Sequence, residues 1–427
     1  MIERYGVSFV CFSIAMICLL YVWIKKRDFF QPVIVYIFAQ ALTLGIAYFK
    51  LLRTMTDFGI VTWMIWIGAM VSFAVGTGVF YAVFYRNHQP IYRFEKPPCL
   101  EKYDWLLHFI ISIFLLCLFL AGSAIVVSKV GFTFFYYFTG QDFPKGGDYG
   151  VFGSTAFYSS PLVVVFFAIA TFKSINPHKW IRRISLVLAI LVPIFSILVY
   201  PGRMSLFTSV GTVVIMSNYI KRRIAPGLIM LAMAIAISSF IGIAIARDQY
   251  GSAGVKGMVV KQVAVLPYKY IANNYWNLNY GVNTSSDRQR HSFTYGLDML
   301  NGPLGMFRLS GSIRKMMHWD DEFNKSVVKV IGLNTVSYLW ETYKDFGVAG
   351  SVIVPFFAAF LMAYTYESVK RRKTPFWWML YGVSLFFLGW SFFITGYKLV
   401  YLWIWVYIIA LSSWVCSRKM RLPKSEA

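Results

Sequence analysis

WLLHFIISIFLLCLFLAGSAIVVS, from Trp105 to Ser128, holds one histidine and no charged side chain. As an α-helix its 24 residues extend about 36 Å, more than the roughly 30 Å of a bilayer's hydrocarbon core. A barrel strand would alternate apolar and polar residues over about ten positions. This run is continuously apolar, so it reads as a membrane-crossing helix whose backbone groups are satisfied internally.

Ten further stretches read the same way: Tyr5–Ile24, Phe30–Phe49, Ile60–Tyr85, Phe157–Phe172, Ile184–Tyr200, Met204–Ile220, Ile224–Ala246, Val348–Tyr366, Phe376–Thr395 and Leu399–Cys416. The composition agrees. Of 427 residues, 58% are hydrophobic and 14% charged, with mean hydropathy +0.60, where a water-soluble chain carries about 25% charged residues. The expected fold is an all-α polytopic membrane protein with about 11 transmembrane helices and one long outer loop. Three segments follow: an eight-helix region over 1–246, a large extracytoplasmic loop over 247–345, and a three-helix region with a cytoplasmic tail over 346–427.

The net charge of +23 would suit nucleic acid, but the cations sit in short loops between apolar runs, with no soluble basic domain to carry such binding. No nucleic-acid partner is expected. The cations set the orientation instead. Alternate short segments, from Lys25-Lys26-Arg27 to the tail, hold 22 of the 41 Lys and Arg, and the long loop holds 12, leaving 7 for all other outer segments. Cytoplasmic loops attract the excess, so the N-terminus is placed outside and the C-terminus in the cytoplasm. No cleavable signal peptide is expected, since the first apolar run has its positive cluster behind it. By this topology none of the five cysteines lies in an outer loop, and a disulfide framework is not expected.

The outer loop carries most of the chemistry. Lys256–Leu266 reads as a helix lying in the interface. Tyr268–Tyr280 then alternates aromatics with amides. Tyr275 and Trp276 in that stretch, with Tyr343 further on, are candidate faces for a sugar ring; the alternative is an aromatic belt at the headgroups. The other large outer segment, Lys129–Ser154, has Gly140, Gly146, Gly147 and Gly150 and reads as a mobile flap.

Several cations suit a phosphate. Arg203 opens a span in a tight outer turn, where a fixed cation joins free backbone N–H groups. Arg247 borders the membrane beside Asp248. Arg290 stands with Arg288 and His291, a group able to hold pyrophosphate and supply a base. Lys398 lies in the turn between the last two spans. For Arg203, Arg247 and Lys398 the alternative is an ordinary interfacial anchor, and for the Arg288–His291 group a solvated loop. Glu341 and Asp345 precede the ninth span, where a carboxylate could take a proton from a sugar hydroxyl. Asp345 is favoured because it stands where the loop returns to the membrane; capping of the helix that follows is its alternative role. Glu341 and His291 are the other candidate bases. No nucleotide-binding Gly-rich loop, zinc-protease motif or D-x-D pair occurs, so no metal and no cofactor is expected.

Three stretches resemble the oligosaccharide repeat-unit polymerases, also called O-antigen polymerases. They are Gly202-Arg203-Met204-Ser205; Ser292 to Leu300 with Gly302-Pro303-Leu304-Gly305; and Asn334 to Gly350, which includes Tyr343-Lys344-Asp345-Phe346-Gly347. Tyr270–Asn279 is similar to that family's aromatic loop segment. The resemblance implies a C-type glycosyltransferase fold in a bacterial inner membrane. It implies a metal-independent polymerase of undecaprenyl-pyrophosphate-linked repeat units, with Arg203 and Arg247 on the pyrophosphate. Membrane lipid, a flippase and a chain-length regulator are the expected companions. An O-antigen ligase or a flippase for the same lipid-linked sugar are the competing readings.

The charge asymmetry predicts that reporter fusions after Lys26, Arg223 and Lys373 report cytoplasm, and those at Gly147 and Ser286 report outside. Outside signals at both Arg223 and Lys373 would reverse the topology.

Overall fold

The computed structural model describes residues 2–25, 28–51, 55–85, 100, 103–132, 153, 157–199, 203–221, 258–285, 293–316 and 335–418. At 2–4, 130, 203, 221, 258–266, 284–285, 310 and 314 the description covers the backbone alone. Among the described residues all regular structure is helical. The elements are α1 (Ile2–Ile24), α2 (Pro32–Ala47), α3 (Ile60–Phe84), α4 (Trp105–Val130), α5 (Ser160–Ala170), α6 (Lys179–Val199), α7 (Arg203–Lys221), α8 (Met258–Ser285), α9 (Leu297–Met306), α10 (Leu309–Met316), α11 (Tyr338–Arg372), α12 (Pro375–Gly389), a 3₁₀ turn (Gly396–Lys398) and α13 (Val400–Cys416).

Five stretches are long and apolar enough to cross a bilayer: Tyr5–Ile24, Ile60–Phe84, Trp105–Lys129, Lys179–Val199 and Tyr338–Arg372. Five shorter apolar helices accompany them. This is a membrane-embedded helical protein. Each sequence-expected span falls on one of these helices except Ile224–Ala246, which lies outside the described residues, as does most of the glycine-bearing segment 129–154.

The chain forms two compact units. One takes residues 1–92, 265–367 and 387–403, and the other takes 93–264, 368–386 and 404–427. The units therefore draw on all three sequence segments rather than following the cuts at 246 and 345.

In the first unit, Gly68, Ser72 and Gly76 lie four residues apart on one face of α3 and meet α11. A Cβ at Gly76 would sit 2.5 Å from the Phe356 carbonyl oxygen, and the Ser72 hydroxyl donates to the Val352 carbonyl. Small side chains allow the backbones this close, which is how helices associate where lipid gives no hydrophobic drive. Beneath them, Tyr36 of α2 stacks on Phe73 at 4.1 Å between ring centres.

Where it is described, the 247–345 segment is helical rather than extended. Its aromatic–amide segment lies within α8, whose side chains lace the unit together. The Asn279 side-chain oxygen Oδ1 accepts from the Gly59 N–H at 3.0 Å and the Thr62 hydroxyl at 2.8 Å, and so ties down the start of α3, whose own N-cap is a glycine. Asn273 and Asn277 donate to the Thr335 carbonyl at 3.0 and 2.8 Å. The Tyr268 hydroxyl donates to the Ala47 carbonyl at 2.9 Å and accepts from the Leu51 N–H at 3.0 Å. These bonds serve backbone groups at helix ends and in turns, where the ladder leaves them unsatisfied.

α11 is two helices in line, broken at Phe346 (φ −140°, ψ 17°) and Gly347 (φ 62°, ψ −148°). The short piece Tyr338–Asp345 precedes the break and the long apolar piece follows it. Gly347 occupies backbone space that only glycine adopts freely. A Cβ at Gly350 would also run into the Thr342 carbonyl oxygen across the bend. Gly347→Ala is expected to cost about 1–3 kcal/mol in strain and to lower the thermal unfolding midpoint in detergent. An unchanged midpoint would mean the break is tolerant of a side chain.

Candidate functional site

The break in α11 creates the site. α9 begins at Gly296, which has φ 92° and no side chain to cap the helix. Its free N–H groups are met by a remote carboxylate. Asp345, at the end of the short piece, accepts from the Asp298 N–H at 3.0 Å through Oδ1 and from the Met299 N–H at 2.9 Å through Oδ2. The Thr294 hydroxyl also donates to Oδ1. The Thr294 and Tyr295 N–H groups donate to the Lys344 and Asp345 carbonyls, each at 3.1 Å. Two glycine turns then interlock. A Cβ at Gly296 would meet Phe346 at 3.1 Å, and one at Gly347 would meet Phe293 at 3.1 Å. Asp345 is a cap, as its alternative role had it, but of α9 rather than of the span that follows it.

This docking brings Asp298 to Glu341 and Lys344 on the short helix. The Lys344 ammonium lies 2.6 Å from Asp298 Oδ2 and 2.6 Å from Glu341 Oε2. Lys398, from the 3₁₀ turn, adds contacts of 3.0 Å to Glu341 Oε2 and 3.4 Å to Asp298 Oδ1. Each carboxylate thus touches both ammoniums, and the quartet is neutral when all four are ionised. Asp298 is fully buried, Glu341 and Lys344 nearly so, and the Lys398 side chain, 27% exposed, forms the edge of the cluster. The Tyr397 hydroxyl is buried near these acids and has no hydrogen-bond partner among the described residues. Burial and then the charges of Glu341, Asp345 and Asp298 push its pKa well above the tyrosine range.

Burial, with the neighbouring Glu341 charge, raises Asp298 to about 6 against the pull of Lys344 and Lys398. A carboxyl that titrates there is suited to exchange protons near neutral pH. Cations at the edge and acids beneath could together orient an anionic ligand and accept a proton from it.

The sequence-derived candidates divide. Glu341, Asp345 and Lys398 come together here. Tyr343 stacks on Trp340 beside Lys344, with 6.0 Å between ring centres, and is half-buried. Tyr275 and Trp276 are each 1% exposed. The Tyr275 hydroxyl pairs with Thr43 Oγ1 at 2.6 Å, and Trp276 packs on Phe58 at 4.9 Å. Neither offers a face to a sugar, because both rings are packed inside the unit. Arg203 is the first residue of α7, with only its backbone described; Arg247, Arg290 and His291 lie outside the described residues. Asp298 was not singled out in the sequence, though an acid inside the apolar run Leu297–Leu300 is the signal of a buried partner. Among the described residues no group of three His, Cys, Asp or Glu is placed to hold a metal ion. No family model matches the chain, and neither does any curated protein or solved structure.

The raised pKa of Asp298 means that the folded protein keeps this proton where the unfolded chain has lost it. Its contribution to stability is full below 3.8 and is lost as pH rises through about 6. Infrared difference spectra between pH 7 and 5 are expected to gain a protonated-carboxyl band that Asp298→Asn lacks. The same band in that variant would assign the proton elsewhere.

Proposed function

We propose that this chain polymerises undecaprenyl-pyrophosphate-linked oligosaccharide repeat units at the outer face of a bacterial plasma membrane. In this reading it crosses the bilayer about eleven times, with its N-terminus outside. One observation carries the reading: the described parts of two of the three stretches that resemble repeat-unit polymerases, Phe293–Leu300 and Thr335–Gly350, interlock around one buried charged cluster completed by Lys398.

The reaction breaks the bond between the donor sugar's anomeric carbon and its pyrophosphate oxygen, and the electron pair leaves with undecaprenyl pyrophosphate. A hydroxyl of the incoming unit forms the new glycosidic bond and gives up its proton. Arginines held in a water-poor site would lower the barrier by stabilising the departing charge, at about 3–4 kcal/mol for one well-placed donor. Arg203, Arg247 and Arg290 take that role, and Lys398 adds charge at the edge of the cluster. Asp345 is poorly suited to take the proton from a substrate, since its carboxylate is committed to three donors at the start of α9. Its part is to position α9. Asp298, raised to about 6, accepts the proton beside Glu341, whose carboxylate Lys344 and Lys398 hold well below the usual range despite its burial, and His291 is the second candidate.

Two sets of variants test this with purified lipid-linked repeat units. Asp298→Asn is expected to slow chain extension about 10²–10⁴-fold. Arg203→Lys and Arg247→Lys keep the charge but lose the planar fork, and are each expected to shorten the chains strongly. Product is expected to stay on undecaprenyl pyrophosphate, whereas a ligase would move it to another lipid. Wild-type chain length in all three variants would remove the assignment.

A further inference from the structure

The second unit carries a feature unconnected with this reading. The turn before α6 is rigidly built: Asn176 is fully buried, donates to the Ala170 carbonyl at 2.7 Å and accepts from the His178 N–H at 3.0 Å. Arg182 is drawn back onto the Asn176 and Pro177 carbonyls at 2.8 and 2.9 Å. Next to it, His178, Lys179, Trp180, Arg183 and Ile184 line an open groove of about 540 Å³. Lys179 and Arg183 are exposed and have no ion-pair partner among the described residues. No Asp or Glu occurs anywhere between Asp148 and Asp248.

Below the groove the same helix presents a continuous apolar seam. Trp180, Ile184, Val187, Leu191, Ile194 and Leu198 recur at alternating steps of four and three, and all are 39–55% exposed. That spacing keeps them on one face along the whole helix. α6 has 21 residues, so its length matches the hydrocarbon core and its first turn lies at the headgroups.

We propose that the groove and seam seat an anionic phospholipid, its phosphate between Lys179 and Arg183 and one acyl chain along the seam. Two unpaired cations at the free N–H end of a helix suit a phosphate, and Trp180 sits where an indole favours the interface. A zwitterionic headgroup would bring its own cation into a groove that holds no carboxylate.

Native mass spectrometry of the full chain in detergent, with phosphatidylglycerol or phosphatidylcholine added, tests this. The protein is expected to retain phosphatidylglycerol preferentially, and Lys179→Gln with Arg183→Gln to weaken that binding about thirtyfold. Arg371→Gln with Lys373→Gln removes the same charge elsewhere and is expected to leave it intact. Seam variant Leu191→Ser is expected to weaken long-chain phosphatidylglycerol and to spare a short-chain analogue. Equal retention of both lipids, or equal loss in the charge-matched control, would overturn the proposal. So would displacement by inorganic phosphate at concentrations equal to the lipid's, which would make the groove a plain phosphate site. A dimer abolished by Leu191→Ser would give the seam to a second copy of the chain and equally overturn it.

Discussion

The carboxylate of Asp345 closes the N-terminus of α9, and the charged cluster exists because it does. α9 starts on a glycine in the left-handed region, and no neighbouring side chain satisfies its first N–H groups. Each such group left unpaired in the interior costs about 1–3 kcal/mol. A carboxylate answers two of them at once and also meets the positive end of the helix dipole. The bond fixes the position of α9 relative to the short helix Tyr338–Asp345. Asp298, one turn into α9, is thereby carried to Lys344 and Lys398.

Burial then makes the quartet an all-or-none arrangement. A buried ion is tolerated when its partner is close and well placed, and removal of one partner costs about 3–5 kcal/mol. Here every charge has two partners of opposite sign. The 3₁₀ turn that supplies Lys398 is itself pinned: Trp403 donates to the Tyr397 carbonyl at 2.8 Å, and a Cβ on Gly302 of α9 would strike that same carbonyl. Backbone bonds from Thr294 and Tyr295 thus join two of the chain segments, and close packing at Gly302 sets the third against them.

The sequence carried the apolar helices openly and the site only in part. Trp105–Ser128 is legible because twenty-four uncharged residues admit one solution in lipid. A change of element just before Val348 was legible too, since Gly347 breaks the helix there. α8 was harder. Pro267 and a run of asparagines argue against a long helix by propensity, and the helix stands because Asn273, Asn277 and Asn279 find distant backbone partners. The same long-range bonds turned Tyr275 and Trp276 inward, against the reading of an aromatic wall. Asp345 shows the limit most plainly. Its position before a span suggested a cap, but which helix it caps depends on a contact 47 residues back along the chain, at Asp298. No local pattern encodes that distance.

Neutrality of the quartet has an electrical consequence. A membrane potential does about 2.3 kcal/mol of work per elementary charge per 100 mV. Two carboxylates and two ammoniums within contact distance sum to zero, so the field acts on them only as a small dipole. With Asp298 titrating at about 6, acidification leaves the group one charge positive. Any field that reaches the cluster would then act on a net charge rather than on a dipole.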